Sequence, residues 1–225
     1  MIQSDGWNKY NIWEHSSIVK DLYKKRCRLE IPEMTCHAQA IELLTPHIAD
    51  GDSILDVGCG SGYFFHSITG RKIPAEYWGI DSSKPLIDIG RNELSRYRLP
   101  IKNLQNIRIE DLDGVFDHTV CINVLSNIDN YHKPLERMLK ISQKTVLLRE
   151  SIKERSEYSY VRDNYLDNGA NLNVHVNHYG QDELIEFISR YGYEAEVITD
   201  LRTGGALEMV IDHPHHWKFV LAKKK

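Results

Sequence analysis

A chain of 225 residues with 41% hydrophobic and 27% charged content has the size and composition of one globular domain with a sizeable core, and is short for two. A formal net charge of -4 and a pI near 6.3 argue against a general nucleic-acid surface, which needs clustered Lys and Arg, so the terminal Lys223-Lys224-Lys225 is expected to be a solvated tail. Cys27, Cys36, Cys59 and Cys121 form no C-x-x-C pair, the N-terminus lacks the apolar core of a signal peptide, and no run approaches the roughly 18 apolar residues of a membrane span, which together predict a cytoplasmic protein without disulfides.

In chain order, Trp7, Tyr10 and Trp13 form an aromatic cluster in a segment predicted to be helical through WEHSSIVKDLYKK, packed against a sheet edge. CHAQAIELLTPHI places Ile41, Leu44 and Ile48 at helical spacing, and Asp50-Gly51-Asp52 ends it as a turn. Ser53 to Val57 is a short buried strand, followed by Gly58, Gly60 and Gly62 and a helix starting near Gly62. EYWGID (Glu76 to Asp81) is a second strand. In SSKP behind it, Ser82 or Ser83 suits a helix cap, and the helix carries Leu86, Ile89, Leu94 and Tyr97 inward. Further strands are expected at NIRIE (Asn106 to Glu110), HTVCIN (His118 to Asn123) and TVLLRE (Thr145 to Glu150), with a helix over YHKPLERMLKIS burying Leu135, Met138, Leu139 and Ser142.

After Glu150 the rhythm changes to a polar and aromatic stretch, a lid-like insert over residues 151–180. Within it Leu172, Val174 and Val176 alternate with Asn173, His175 and Asn177, the pattern of a strand with one apolar face. A helix from Asp182 to Tyr191 and two closing strands, EAEVITD and WKFVLAKK, complete the chain. The alternation predicts an α/β fold: a Rossmann-like, open, twisted, mainly parallel sheet of about seven strands with helices on both faces. Residues 1–225 are taken as one domain, with 1–35 a helical cap and 151–180 a substrate-side insert. In such sheets ligands lie beyond the carboxyl ends of the strands, which brings the glycine loop, Asp81, Asp111 and Asn123 to one edge.

The glycine loop poses a choice between a dinucleotide and S-adenosylmethionine. The dinucleotide spacing G-x-G-x-x-G fails, because residue 63 is Tyr and Gly62 follows Gly60 by two. Asp56 discriminates further: a carboxylate about 4 Å from a pyrophosphate costs on the order of 4 kcal/mol at an effective dielectric near 20, whereas a cationic amino group and sulfonium favour it.

At this point ILDVGCGSG resembles the first motif of the class I S-adenosylmethionine-dependent methyltransferases, apolar-apolar-Asp-x-Gly-x-Gly-x-Gly. The resemblance implies that Asp56, Gly58, Gly60 and Gly62 embrace the methionine portion of the cofactor, S-adenosyl-L-methionine. It gives Asp81, followed by Ser82, both ribose hydroxyls, a task suited to an acceptor-only group with two oxygens. In IEDLD, Asp111 matches the acceptor for the adenine amino group and Leu112 the residue packing on the ring, with Asp113 a competing assignment. In FDHTVCINVLSNI, Asn123 matches a residue lining the cofactor cleft and Asn127 one facing the transferred methyl. N-terminal segments of similar enzymes close over the cofactor, which makes Trp13 part of a flap as the alternative to sheet-edge packing. NHYGQDELIEFISRYGYE is also similar to the family's penultimate helix.

Methyl transfer from a sulfonium needs orientation first, and a general base only where the acceptor must lose a proton. His178 and His175 are the candidate bases, with Tyr160, Tyr165 and Tyr179 nearby. H-V-N-H at 175–178 and H-P-H-H at 213–216 invite a metal, but no ligand set is completed and none is predicted. The insert, with Arg162, Asn164, Asn168 and Asn171, suits a hydroxylated small molecule as methyl acceptor, for O- or N-methylation. Open alternatives are a different transfer from the same cofactor, a non-catalytic cofactor-binding regulatory subunit, and, more remotely, an NAD-dependent oxidoreductase.

Overall fold

The computed structural model describes residues 13, 16–162, 173–210 and 213–225. Trp7, Tyr10, Asn164, Tyr165, Asn168, Asn171 and Leu172, named above, lie outside these residues. Ser16 has an extended backbone and its Oγ accepts from the Val19 N–H at 3.2 Å, so α1 (Ser17–Cys27) begins at its own cap rather than running on from Trp13. α2 (Thr35–Leu44) buries Cys36, Ala40, Ile41 and Leu44. β1 (Ser53–Val57) leads through the glycine loop to α3 (Phe65–Gly70), which starts after Gly62 because residues 62–64 are still turning. β2 (Glu76–Asp81) and α4 (Lys84–Leu94) follow.

The expected strand at 106–110 is displaced. β3 (Leu104–Asn106) pairs with Gly79–Asp81 of β2, and the chain then coils through a 3-10 turn at Ile109–Asp111. β2 has no residues left to pair beyond Asp81, so the alternation of Ile107 and Ile109 serves a turn that drops Ile109 into the core. β4 (Phe116–Ile122), α5 (His132–Ile141) and β5 (Ser142–Lys153) come next, with Ser142 opening β5 rather than closing the helix. In the insert, β6 (Tyr160–Arg162) pairs antiparallel with β7 (Asn173–His175). The chain ends with β8 (Tyr179–Gly180), α6 (Gln181–Ser189), β9 (Tyr193–Thr199), the hairpin of β10 (Glu208–Val210) and β11 (His213–His215), and β12 (Trp217–Lys224).

The main sheet runs β3-β2-β1-β4-β5-β12-β9, with the two-residue β8 attached to β5. β1 to β5 are mutually parallel, and β12 is antiparallel to both its neighbours. One core layer packs α5 and α6 on one face through Leu135, Met138, Leu184 and Ile188. The other packs α2, α3 and α4 through Ile41, Ile68 and Ile87. Ile87 takes the inward place, while Tyr97 falls beyond α4, is exposed, and donates its hydroxyl to the Arg28 carbonyl at 3.2 Å. All four cysteines are buried free thiols, and among the described residues no helix is long and apolar enough to cross a membrane.

Candidate active site

β1 and β2 end side by side, and the loop leaving β1 is tied to β2 by the N–H groups of Gly58 and Cys59, which donate to the Ile80 carbonyl at 2.9 and 3.0 Å. Gly58 (φ 70°) and Gly60 (φ 59°) take the left-handed conformation this reversal requires. The loop is also closely covered: a Cβ on Gly58 would lie 2.3 Å from Val124, and one on Gly60 2.2 Å from the Tyr23 ring. Gly62 closes the turn by donating to the Cys59 carbonyl at 2.9 Å.

Asp81 bridges this loop and the next helix. Its Oδ2 accepts from the Gly60 N–H at 2.8 Å and its Oδ1 from the Ser83 N–H at 2.7 Å. Ser83 holds the N-cap position, yet its hydroxyl makes no capping bond and is buried without a partner among the described residues, while Asp81 satisfies the backbone N–H of Ser83 itself. Ser82 is half-buried beside it, its carbonyl accepting from Asn106 Nδ2 at 2.9 Å.

Asp56 lies inside the molecule, 5% exposed, and accepts from the Tyr77 hydroxyl at 2.8 Å. Burial pushes its carboxyl up to about 7, with the Asp81 charge adding to the rise against the Tyr77 hydrogen bond. Asp111 stands exposed on the 3-10 turn and Leu112 is buried in the core behind it. Asp113 is tied to Arg137 Nη2 at 3.0 Å, and the same guanidinium donates through Nε to the Leu112 carbonyl at 2.8 Å.

Asn123 follows β4 with φ 59°, a left-handed backbone on a non-glycine residue. It is held on three sides: its N–H donates to the Arg149 carbonyl at 2.8 Å, its carbonyl accepts from Asn127 Nδ2 at 2.8 Å, and its Oδ1 accepts from Arg149 Nη1 at 2.5 Å. The following turn wraps a fully buried carboxylate, Glu150, which accepts from the N–H groups of Val124, Leu125 and Ser126 at 3.0, 2.9 and 2.9 Å and from the Ser126 hydroxyl at 2.7 Å. Burial raises its pKa and these donors oppose the rise. Arg149 and Glu150 are buried charged residues at this edge that were not singled out from the sequence; two charges in the otherwise apolar TVLLRE, followed by Ser-Ile, were the available signal.

The two histidines of the insert separate. His175 is half-buried on β7 beside Tyr160, with ring centroids 4.6 Å apart. His178 lies beyond β7 in a bridge to Glu157, and its Nδ1 meets the Ser151 hydroxyl at 2.7 Å. That hydroxyl also accepts from the His216 N–H at 2.9 Å. Burial holds the His178 pKa down at about 4. Trp13 packs against the cluster that Val174 and Val176 form in the insert.

The described residues form surface clefts at two places away from the sheet's glycine loop. One of about 500 Å³ is lined by Asp129, Asn130, Tyr158, Ser159, Tyr160 and His175, and the other, of about 410 Å³, lies around His66, Arg96 and Tyr97. Neither is lined by the glycine loop, where Tyr23 and Val124 already sit. Among the described residues no group of three or more His, Cys, Asp or Glu is placed to hold a metal.

Residues 32–197 match the model of the methyltransferase domain family. A ribosomal protein L11 methyltransferase from Thermotoga neapolitana is 25% identical over 135 residues, covering 59% of this chain and 49% of that protein, so the chain spans about half the length of this curated relative. A crystal structure of an S-adenosylmethionine-dependent methyltransferase from Clostridium acetobutylicum superposes with TM-score 0.63 at 13% identity, over 91% of this chain and 96% of that one. That of the 1,6-didemethyltoxoflavin-N1-methyltransferase of Burkholderia thailandensis, with bound 1,6-didemethyltoxoflavin and S-adenosylhomocysteine, does so with TM-score 0.62 at 15% identity, over 93% and 86%. The structural likenesses are likenesses of fold, and the family match covers most of the chain, glycine loop included: this protein belongs to the methyltransferase domain family.

Proposed function

We propose that this methyltransferase binds S-adenosylmethionine across the carboxyl ends of β1, β2 and β4 and transfers its methyl group to a nitrogen or oxygen of a small polar acceptor. The observation that carries the reading is the Asp81 carboxylate, fixed by the Gly60 and Ser83 N–H groups at the mouth of the glycine loop. An acceptor-only group in that place suits two ribose hydroxyls, while the glycine backbone admits the methionine portion at close range. Asp56 behind the loop, Asp111 and Leu112 on the 3-10 turn, and Asn123 at the end of β4 complete the same edge, as methionine-side, adenine-side and methyl-side residues. The Burkholderia neighbour's bound S-adenosylhomocysteine supports the same cofactor on the same fold.

When bound, the sulfonium supplies an electrophilic methyl with a neutral leaving group. The protein's part is to orient, and Asn123, held on three sides, is a rigid border for the transfer, with Asn127 bracing it through Nδ2. His175 is kept largely neutral by burial, so it can take a proton from an acceptor that must lose one. Calorimetry with S-adenosylhomocysteine tests the reading: wild-type protein should bind, and Asp81→Ala, still folded by its melting profile, should bind at least tenfold more weakly through loss of charge-assisted hydrogen bonds. Unchanged affinity in that variant would remove Asp81 from the ribose. Release of S-adenosylhomocysteine with a candidate acceptor separates catalysis from mere cofactor binding.

A further inference from the structure

On the sheet face covered by α1 and α2, at the carboxyl ends of β4 and β5, three side chains lie in a row. Arg149 packs its guanidinium on the Trp217 ring, 4.6 Å from centroid, and Trp217 stacks on His215 at 4.6 Å with ring planes 2° apart. The β5 and β12 register explains the row: Trp217 stands opposite Ser151 and Phe219 opposite Arg149, so Arg149 and His215 fall on either side of the indole. All three residues are more than nine-tenths buried, and each ends in an orphan: Arg149 Nη2, Trp217 Nε1 and His215 Nδ1 have no hydrogen-bond partner among the described residues. Arg26, reaching in from α1, adds a fourth orphan in its buried Nε.

Three of these four orphans are one-sided: arginine and indole nitrogens only donate, so an acceptor is what they lack, whereas the fourth, His215 Nδ1, donates or accepts according to its tautomer. Charge agrees. Both guanidiniums act on the Cys36 thiol and the His37 imidazole, so they share one neighbourhood, and the carboxylate beside them, Asp200, is already engaged by Arg149 Nε at 2.7 Å and by the Thr203 N–H at 3.0 Å. Unpaired buried donors are costly, which is why such groups nearly always have a partner. The remaining Arg149 nitrogen, Nη1, holds Asn123, so the cluster adjoins the point where the methyl would be transferred.

We infer that this cluster is the acceptor-binding site of the methyltransferase and that it takes an oxyanion, a carboxylate or phosphate group carried by the methyl acceptor. The inference rests on the proposed function and narrows its substrate class from a small polar molecule to an acidic one. Arg149 Nη2 and Trp217 Nε1 hold the oxyanion, Arg26 adds charge from the covering helix, and Asn123 keeps the anchored acceptor in register with the sheet edge.

The test follows the indole N–H signals of full-length, 15N-tryptophan-labelled protein with saturating S-adenosylhomocysteine, that of Trp217 being identified by its loss in Trp217→Phe. Acetate, inorganic phosphate and neutral acetamide are titrated in turn. The Trp217 signal should move with acetate or phosphate, whichever group the site is shaped for, and stay still with acetamide. Arg26→Gln, a change on a half-exposed helix, should weaken the anion roughly tenfold with S-adenosylhomocysteine affinity retained. A signal that ignores both anions while S-adenosylhomocysteine binds, or that follows acetamide equally, overturns the inference and leaves the cofactor reading standing. Failure of S-adenosylhomocysteine to bind overturns the cofactor reading, and the same titration without it still reads the anion site.

Discussion

Single atoms decide how much change the cofactor edge tolerates. A methyl on Gly60 would meet the Tyr23 ring at 2.2 Å on a backbone already at φ 59°, so Gly60→Ala should weaken S-adenosylhomocysteine binding more than tenfold by calorimetry, the left-handed backbone alone costing about 1–2 kcal/mol. Gly90, on α4, has a different constraint. A Cβ there would lie 2.2 Å from the Ser61 carbonyl oxygen, which is backbone and cannot swing aside, so Gly90→Ala should separate α4 from the glycine loop and cost on the order of 1–3 kcal/mol in a thermal or urea melt. Asp56 makes a third case. Its folded pKa of about 7 lies above the ordinary carboxyl value, so the folded state holds the proton more tightly, and the stability this gives is full below about pH 4 and lost as pH rises toward 7. Asp56→Asn, which imitates the protonated acid, should therefore gain melting temperature relative to wild type as pH rises from 5 to 8. A constant difference across that range would show that Asp56 is ionised throughout.

Among the elements, α1 buries few of its residues. Cys27 is the one α1 residue that is fully buried, and the helix is pinned chiefly by the Cys27 Sγ contact to Ser61 Oγ at 3.0 Å, the Tyr23 ring on Gly60 and, from its C-cap, the Arg28 pair with Glu93 at 2.8 Å. A helix with so little buried apolar surface opens at low cost, and it covers the loop that a ligand must reach. Trypsin should cut after Lys24 and Lys25 in the free protein, and saturating S-adenosylhomocysteine should slow that cleavage severalfold. Equal rates would mean the helix does not respond to the ligand. The elements also show what periodicity conveys. α5 and the ILDV strand are plain because their apolar spacing is complete in the local sequence. The displaced β3 was not, because Ile107 and Ile109 alternate like a strand and only the end of β2 at Asp81 decides where pairing stops.

For the molecule as a whole, buried histidines set the response to acid. Burial holds His37 down at about 3 and His178 and His215 at about 4, so each is neutral in the fold and charges more readily when unfolded. The sign follows from proton counting: between these values and about 6.5 the unfolded chain binds more protons, and stability falls as pH falls. Each contributes about 2 kcal/mol between pH 7 and 5, and together with His66, His118 and His175, which burial also lowers, they outweigh the opposite effect of the raised carboxyls of Asp56 and Glu150. The melting temperature should therefore drop on going from pH 7 to pH 5, and a rise would mean these imidazoles are less buried than they are here.

By itself the sequence determined the α/β order, the glycine loop and its acidic followers, because strand and helix periods and left-handed turns are written in adjacent residues. Asp81 meets that loop through the Gly60 N–H. Only the tertiary structure decided that Asp56 turns inward to Tyr77, that Glu150 organises the turn after β4, that His178 is held by Ser151, and that Arg149, Trp217 and His215 stack into one unsatisfied row. Those facts depend on residues far apart in the chain, whose burial and hydrogen-bond partners come into being only when the strands pair.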